Sequence, residues 1–469
     1  MVMKILLTHG YFLKEDEKEL QVMKPYPPLG LLSISAYLEK NHFDNQVFDS
    51  TFHDFDTLRK KLLEFRPDVI GIYTNLMTKL NVLRIIQFIK TEKTLSTKII
   101  LGGPEVRNHK ENFLKHGADV IVFGEGEETM LNLCQILSEK AEQNLFSVNG
   151  IAFLDETQNL VVTDERELIR EIDELPYPNR SKIDLQKYFD TWKNVHGQSV
   201  ISMSTMRGCP YDCKWCSRAV YGQSYRRRSP QKVVEEMHWL KTNYNFDMIW
   251  FVDDVFTINF PWLRAFVAEI EKAAIKIPYE IITRADRMNP EIISLLKQSG
   301  CYRVWIGAES GSQKIIDAMS RRVKVEQVRS MIQLSQQQGL QAGTFIMLGY
   351  PGETQEDIAE TIYHLKFSDP DLYTLTIAYP IKGTPLYAET ENKFIAPLPW
   401  ETSTDRDINF ERTYSRKYYD YAIRWVGNEV AAHKSLKNGK AYRVPYLKLK
   451  SLIAQAGMFW YRTQRNSSV

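Results

Sequence analysis

Only five cysteines stand in these 469 residues, and three of them crowd into one short run. That usage excludes the disulfide framework of a small secreted fold. No apolar stretch reaches the length of about 18 residues that a spanning helix needs. The start, Met1-Val2-Met3-Lys4-Ile5-Leu6-Leu7, is apolar too briefly for a secretory signal and reads as a first β-strand. There is no internal repeat and no low-complexity linker, which argues against a solenoid or a disordered tether. Acidic residues are missing from one region: His433 to Val469 holds eight basic residues and neither Asp nor Glu, in a chain whose formal net charge is only +2. The tail is thus a local basic element on a slightly acidic remainder.

What is present is ordinary for a globular protein, with 43% hydrophobic and 25% charged residues, and the length allows two or three domains. Up to about residue 140, short apolar strands alternate with helical stretches. Strands are expected at 4–7, 46–49, 68–73, 98–103 and 119–124, with a helix over 29–40 opened by Pro27-Pro28. This alternation predicts a doubly wound parallel sheet that binds ligands at the carboxyl ends of its strands. A connector over 141–195 includes a hairpin-like stretch, Gly150 to Val162. Six more strand–helix units follow, with strands near 200–205, 247–252, 279–283, 302–306, 342–348 and 372–378. From 396 the chain is helical, aromatic and basic. Tyr414, Tyr418, Tyr419, Tyr421 and Trp425 are expected to pack a core.

The cysteine run is Met206-Arg207-Gly208-Cys209-Pro210-Tyr211-Asp212-Cys213-Lys214-Trp215-Cys216. Three thiolates in C-x3-C-x2-C spacing suit three corners of a four-iron four-sulfur cluster and leave the fourth iron open. A zinc site would want four ligands, and Cys134 and Cys301 are far off in sequence.

This spacing, with Trp215 before the last cysteine, resembles the signature of the radical S-adenosyl-L-methionine (SAM) superfamily, and the resemblance places Trp215 among the residues that would bind SAM. The resemblance implies a partial (β/α)6 TIM barrel over 196–395, a 4Fe–4S cluster on Cys209, Cys213 and Cys216, and reductive cleavage of SAM to a 5′-deoxyadenosyl radical. The strand ends carry the matching segments. Asp253 and Asp254 fill the place that takes the SAM amino group, or else serve as helix caps. Arg284 would pair with the SAM carboxylate, or lie on the surface. Gly307-Ala308-Glu309-Ser310-Gly311 resembles the family's Glu-Ser-Gly segment, so Glu309 would accept both ribose hydroxyls, with Ser310 beside it. Gly349-Tyr350-Pro351-Gly352-Glu353-Thr354 resembles the family's Gly-x-Pro-Gly-Glu-Thr turn, with Gly349 near the adenine.

Residues 1–140 resemble the Rossmann-like cobalamin-binding domain of one radical SAM branch. That branch includes the anaerobic magnesium-protoporphyrin monomethyl ester cyclase and cobalamin-dependent radical methyltransferases. The resemblance rests on the entry at Pro28 and Leu29, Thr74 and Leu76, the turn Gly102-Gly103-Pro104, and Gly124-Glu125. The Asp-x-His-x-x-Gly motif is absent, so His9 is expected to be a loop residue and cobalt to lack a histidine ligand. The implied fold is α/β: Rossmann-like domain, connector, partial barrel and helical extension over 396–469. The implied function is methyl transfer to an unactivated carbon of a small-molecule substrate, such as a lipid or tetrapyrrole. A flavodoxin or ferredoxin would donate electrons, and the oxygen-sensitive cluster points to the cytoplasm. Alternatives are a radical cyclase or rearrangement enzyme, and a non-catalytic iron–sulfur sensor, against which Asp254 and Glu309 argue. A tRNA-modifying role would call for an RNA-binding barrel; none is legible, and no nucleic acid is expected. The basic tail suggests peripheral contact with a membrane, or else a helix packed on the barrel with its lysines in water.

Overall fold

A computed structural model describes residues 3–139 and 142–462. Met1, Val2, the first residue of the expected connector, and Arg465 of the basic tail lie outside the described residues. The chain packs as two compact units. One holds the chain to Pro210 with Ser217–Ile249 and Pro399–Thr404; the other holds Tyr211–Cys216, Trp250–Leu398 and the chain from Asp405.

The first unit is built on a seven-stranded sheet of β1 (Ile5–His9), β2 (Asn45–Phe48), β3 (Val69–Tyr73), β4 (Lys98–Gly102), β5 (Val120–Val122), β6 (Ile151–Leu154) and β7 (Leu160–Val162). Its order is β2-β1-β3-β4-β5-β6-β7, and the first five strands are parallel. Successive side chains leave a strand on opposite faces, and both faces are covered. Leu6, Ile70, Ile72, Ile99, Leu101 and Ile121 enter one core. Ile5, Leu7, Val69, Ile100, Val120 and Val122 enter the other. The strands therefore read as unbroken apolar runs. The helix expected over 29–40 forms as Leu29–Lys40.

The sheet differs from a purely parallel one. The hairpin read from Gly150 to Val162 pairs antiparallel onto β5, Val122 opposite Ile151, and extends the same sheet. Its outer strand, β7, is three residues long and partly exposed, which suits an edge.

The second sheet has six strands: β8 (Val200–Met203), then, after the two-residue ribbon β9 (Met206–Arg207) and β10 (Arg226–Arg227), β11 (Met248–Phe251), β12 (Tyr279–Thr283), β13 (Cys301–Glu309), β14 (Gln341–Leu348) and β15 (Leu372–Ile377). Its order is β15-β14-β13-β12-β11-β8. The strands neighbour one another in sequence order, β12 to β15 pair parallel, and helices alternate with the strands, which makes a partial barrel. Helix starts are set by side-chain caps: Asn259, Asn289, and Thr354 in a capping box with Asp357.

The extension is two antiparallel-joined helices, Arg416–Lys437 and Val444–Tyr461. Tyr418, Tyr419 and Trp425 are buried. Gly457 lets the helices approach, since a Cβ there would lie 2.4 Å from the Tyr421 ring.

Candidate active site

In the second unit, the cysteine loop is pinned by backbone. Lys214 N–H donates to Met319 O (3.2 Å) and Leu386 N–H to Lys214 O (2.9 Å). Trp215 packs against Ile315, Met319, Tyr350 and Leu386, giving the loop an apolar backing. Cys213 is buried and Cys216 exposed; Cys209, in the first unit, is half-buried.

Two guanidinium groups converge on Cys213. Arg284 Nη1 and Arg321 Nη1 each lie 3.7 Å from its Sγ. Arg284 is buried rather than solvated, and its guanidinium lies over the Tyr211 ring at 3.8 Å. Its Nε donates to Asp286 Oδ1 (2.8 Å) and Nη2 to Arg321 O (2.7 Å). The fork read as a clamp for the SAM carboxylate is thus closed on Asp286, and what remains directed at the loop is charge. Arg321 was not singled out in the sequence, where it stands beside Arg322. The structure separates them: Arg321 is buried, while Arg322 is exposed and pairs with Asp212.

Arg321 also donates to Gly307 O (3.1 Å) and sits 3.7 Å from Glu309 Oε1. Gly307 makes room for it, since a Cβ there would lie 2.3 Å from Arg321 Nη2. Glu309 stands where β13 slips register against β14, between Gly307 and Glu309, and its φ is 64°. A bulge re-aims the side chain at a strand end, and a left-handed glutamate persists only where its surroundings hold it. Burial pushes its carboxyl up, and Arg321 and Arg284 oppose that rise. Ser310 is fully buried and accepts from Ser312 N–H (3.1 Å), so it braces the turn.

Asp253 is buried; Asp254 is open to solvent, yet enough protein surrounds it that desolvation, with Asp253 beside it, raises its carboxyl. Neither caps a helix, because the next one starts after Asn259. Gly349 has φ 77° and donates its N–H to Glu353 Oε2 (2.6 Å). Burial, with Asp357 adding, pushes the Glu353 carboxyl up to about 8 against that hydrogen bond. Glu353 therefore belongs to the turn's own structure.

In the first unit the five parallel strands run 2-1-3-4-5, which puts the topological switch point between β1 and β3. His9 ends β1. Its Nδ1 accepts from Tyr11 N–H (3.1 Å) and its Nε2 faces Asp49 Oδ1 (3.0 Å), so both nitrogens are engaged. Burial would raise Asp49, but hydrogen bonds from His9, Tyr188 and Thr51 outweigh it and hold the carboxyl low. Thr74 is buried after β3, its N–H donating to Gly102 O (2.7 Å), and Leu76 is half-buried. Gly103 has φ 106°, and a Cβ there would meet Thr74 O at 2.4 Å. Gly102 and Gly124 are different: a Cβ would find nothing closer than 3.9 and 4.0 Å. A Cβ at either would thus make only ordinary van der Waals contact, so these strand ends are free of close crowding, which suits a large flat ring. Pro28, Leu29 and Pro104 are half-buried, Pro104 directly after Gly103.

Glu125 is otherwise occupied. Its carboxylate accepts from Arg207 (2.7 Å), Arg226 (2.7 Å) and Ile169 N–H (2.8 Å), and Arg207 also pairs with Glu127. Arg207 stands two residues before Cys209, so this network fastens the entry of the cysteine loop. Nothing in the sequence names its partners.

Among the described residues no three His, Cys, Asp or Glu side chains converge as one metal ion would require. Thiolates on a cubic cluster sit on separate irons and need not converge. Charge is the better test of fit: three thiolates bring negative charge, and two buried guanidinium groups stand against one of them.

Known proteins share both halves. The radical SAM superfamily matches residues 203–365, and the B12 binding domain matches 21–134. The chain is a cobalamin-binding radical SAM enzyme. Its cofactors are a 4Fe–4S cluster, SAM and cobalamin. It is 29% identical over 417 residues to an uncharacterised methyltransferase of Pyrococcus horikoshii, covering 87% of each chain. It is 26% identical over 433 residues to the anaerobic magnesium-protoporphyrin IX monomethyl ester cyclase of Rubrivivax gelatinosus, covering 88% of this chain and 76% of that one. The cobalamin-dependent SAM radical enzyme OxsB, solved with aqua-cobalamin, shares the fold with a TM-score of 0.77 at 18% identity, over 97% of this chain and 72% of that one. No helix among the described residues is long and apolar enough to cross a membrane.

Proposed function

We propose that this enzyme transfers a methyl group to an unactivated carbon of a small molecule. The observation that carries the reading is the pairing of both domains in one chain with a methyltransferase relative that it matches over 87% of either length. Cys209, Cys213 and Cys216 would hold three irons, and Pro28, Leu29, Thr74, Leu76, Gly102, Gly103, Pro104 and Gly124 would bound the cobalamin site. Bound, these groups supply one-electron cleavage of SAM, a hydrogen-abstracting 5′-deoxyadenosyl radical and a transferable methyl group.

The chain's own residues hold and shield. Arg284 and Arg321 offset thiolate charge at Cys213. The same two cations oppose the rise that burial imposes on the Glu309 carboxyl, which would accept from two ribose hydroxyls. Asp254 and Asp253 would take the SAM amino group. The cluster around Trp215 keeps water from the back of the loop. The functional division at 140, 195 and 395 is part of this proposal, as are a flavodoxin or ferredoxin donor, a cytoplasmic site, and a lipid or tetrapyrrole as substrate.

A radical cyclase or rearrangement enzyme is the second reading, favoured by the match to the Rubrivivax cyclase. Anaerobic reconstitution with SAM and cobalamin, followed by mass analysis of incubated cell extracts, tests both. Methyl transfer predicts a product heavier by one methylene together with S-adenosylhomocysteine. Formation of 5′-deoxyadenosine with no methylated product favours the second reading.

A further inference from the structure

The terminal helix Val444–Tyr461 has two unlike faces. Its inner face, Leu447, Ser451, Ala454 and Met458, is buried. Glu429 on the preceding helix staples it there, accepting from Lys448 (2.7 Å), Ser451 (2.7 Å) and Lys366. The outer face is apolar and open. Tyr446, Leu449, Leu452, Ile453, Phe459 and Trp460 are between 56% and 77% exposed. At about 100° per residue these six fall within one arc of about 140°, opposite the buried one. Lys448 and Lys450 lie at its two edges. Exposed apolar surface of this extent on one helix marks an interaction site.

Charge selects the partner. Every charged residue from His433 onward is basic. Lys434 and Lys437 are spent on Asp369, and Lys448 on Glu429. Arg443 and Lys450 are exposed. A second copy laid face to face would set these cations against their own kind. An anionic headgroup layer would meet them with opposite charge while its acyl boundary covers the aromatic arc, with the lysine stems reaching outward.

We propose that the outer face of the terminal helix docks the enzyme onto an anionic bilayer surface, the helix lying in the headgroup plane. In the sequence, a packed helix and a membrane-facing one stand as alternatives; the burial pattern gives one helix both a packed face and a bare one. The proposal is independent of the reaction class.

Flotation of the full-length reconstituted enzyme with phosphatidylcholine vesicles, with and without phosphatidylglycerol, tests it. Binding is expected only with phosphatidylglycerol and should fall as salt rises. Leu452→Glu with Trp460→Glu should weaken it by about tenfold or more, with melting temperature and cluster absorbance unchanged because both sites are exposed. Should that pair misfold, Arg443→Ala with Lys450→Ala should weaken binding in the same direction. Wild-type enzyme that ignores anionic vesicles at low salt overturns the proposal, as do variants that float as wild type does. A solution dimer that the double glutamate variant dissolves also overturns it, identifying the face as a contact between copies.

Discussion

The end of the first sheet is lined by glycine and backbone, whereas the end of the second is lined by buried charge. At the ends of β4 and β5 stand Gly102, Gly103 and Gly124, and at Gly102 and Gly124 a Cβ would make only ordinary van der Waals contact. Arg284 stands after β12 and Glu309 is the last residue of β13, with Arg321 returning from further along the chain. The difference matches what each end is asked to hold. A broad ring needs side chains out of the way and gains from surface contact. A small zwitterion beside a charged cluster needs fixed counter-charges in a dry setting, where they act strongly.

That contrast can be broken most severely at Cys213. Cys213→Ala should abolish the iron–sulfur absorbance near roughly 400 nm and all SAM cleavage, while cobalamin binding by the first unit persists. Retained 5′-deoxyadenosine formation would end the cluster assignment.

Arg321→Gln comes next. It leaves Glu309 buried without its nearer counter-charge, which should cost about 3–5 kcal/mol in denaturant unfolding. The reconstituted cluster should also shift to a more negative midpoint potential, having lost a positive neighbour and an N–H donor to sulfur. No change in either quantity would mean that the guanidinium is solvated and unimportant.

Glu309→Gln should leave the cluster intact and weaken SAM binding by about 1–3 kcal/mol, since the amide keeps the shape but not the charge-assisted bonds. Calorimetric titration reads this directly, and unchanged affinity would reduce Glu309 to a turn residue. The smallest effect sharpens the other half of the comparison. His9→Ala should not alter the paramagnetic resonance spectrum of bound cobalt(II), because both nitrogens of His9 are held within the protein. Imidazole splitting that vanishes in the variant would reverse this.

Much of the fold was legible because burial on both faces writes parallel strands as plain apolar runs, and caps write helix starts. The strands of the second sheet were readable as apolar runs, though β15 is largely unburied, and the helix Leu29–Lys40, which has no side-chain cap bond, was marked by Pro27-Pro28. The attachment of the hairpin to β5 was not, since a polar hairpin looks the same free or paired. In the site, the cysteine loop and Glu309 announced themselves by spacing. Arg284 was visible but its closure on Asp286 was not. Arg321 and Arg207 carried no signal, because an arginine reads alike in water and in a buried network.

By itself, then, the sequence determined what depends on near neighbours: three thiolates within one loop, glycines at strand ends, and a tail without acids. Short chain separation alone brings those groups together. The tertiary structure decided what depends on chain return. It set Arg321 beside Cys213 from 108 positions away, closed Glu125 on two arginines, and turned one side of the last helix inward and left the other bare. Such pairings are chosen by packing of whole elements, where the cost of burying a charge is met only by a partner that the fold itself brings.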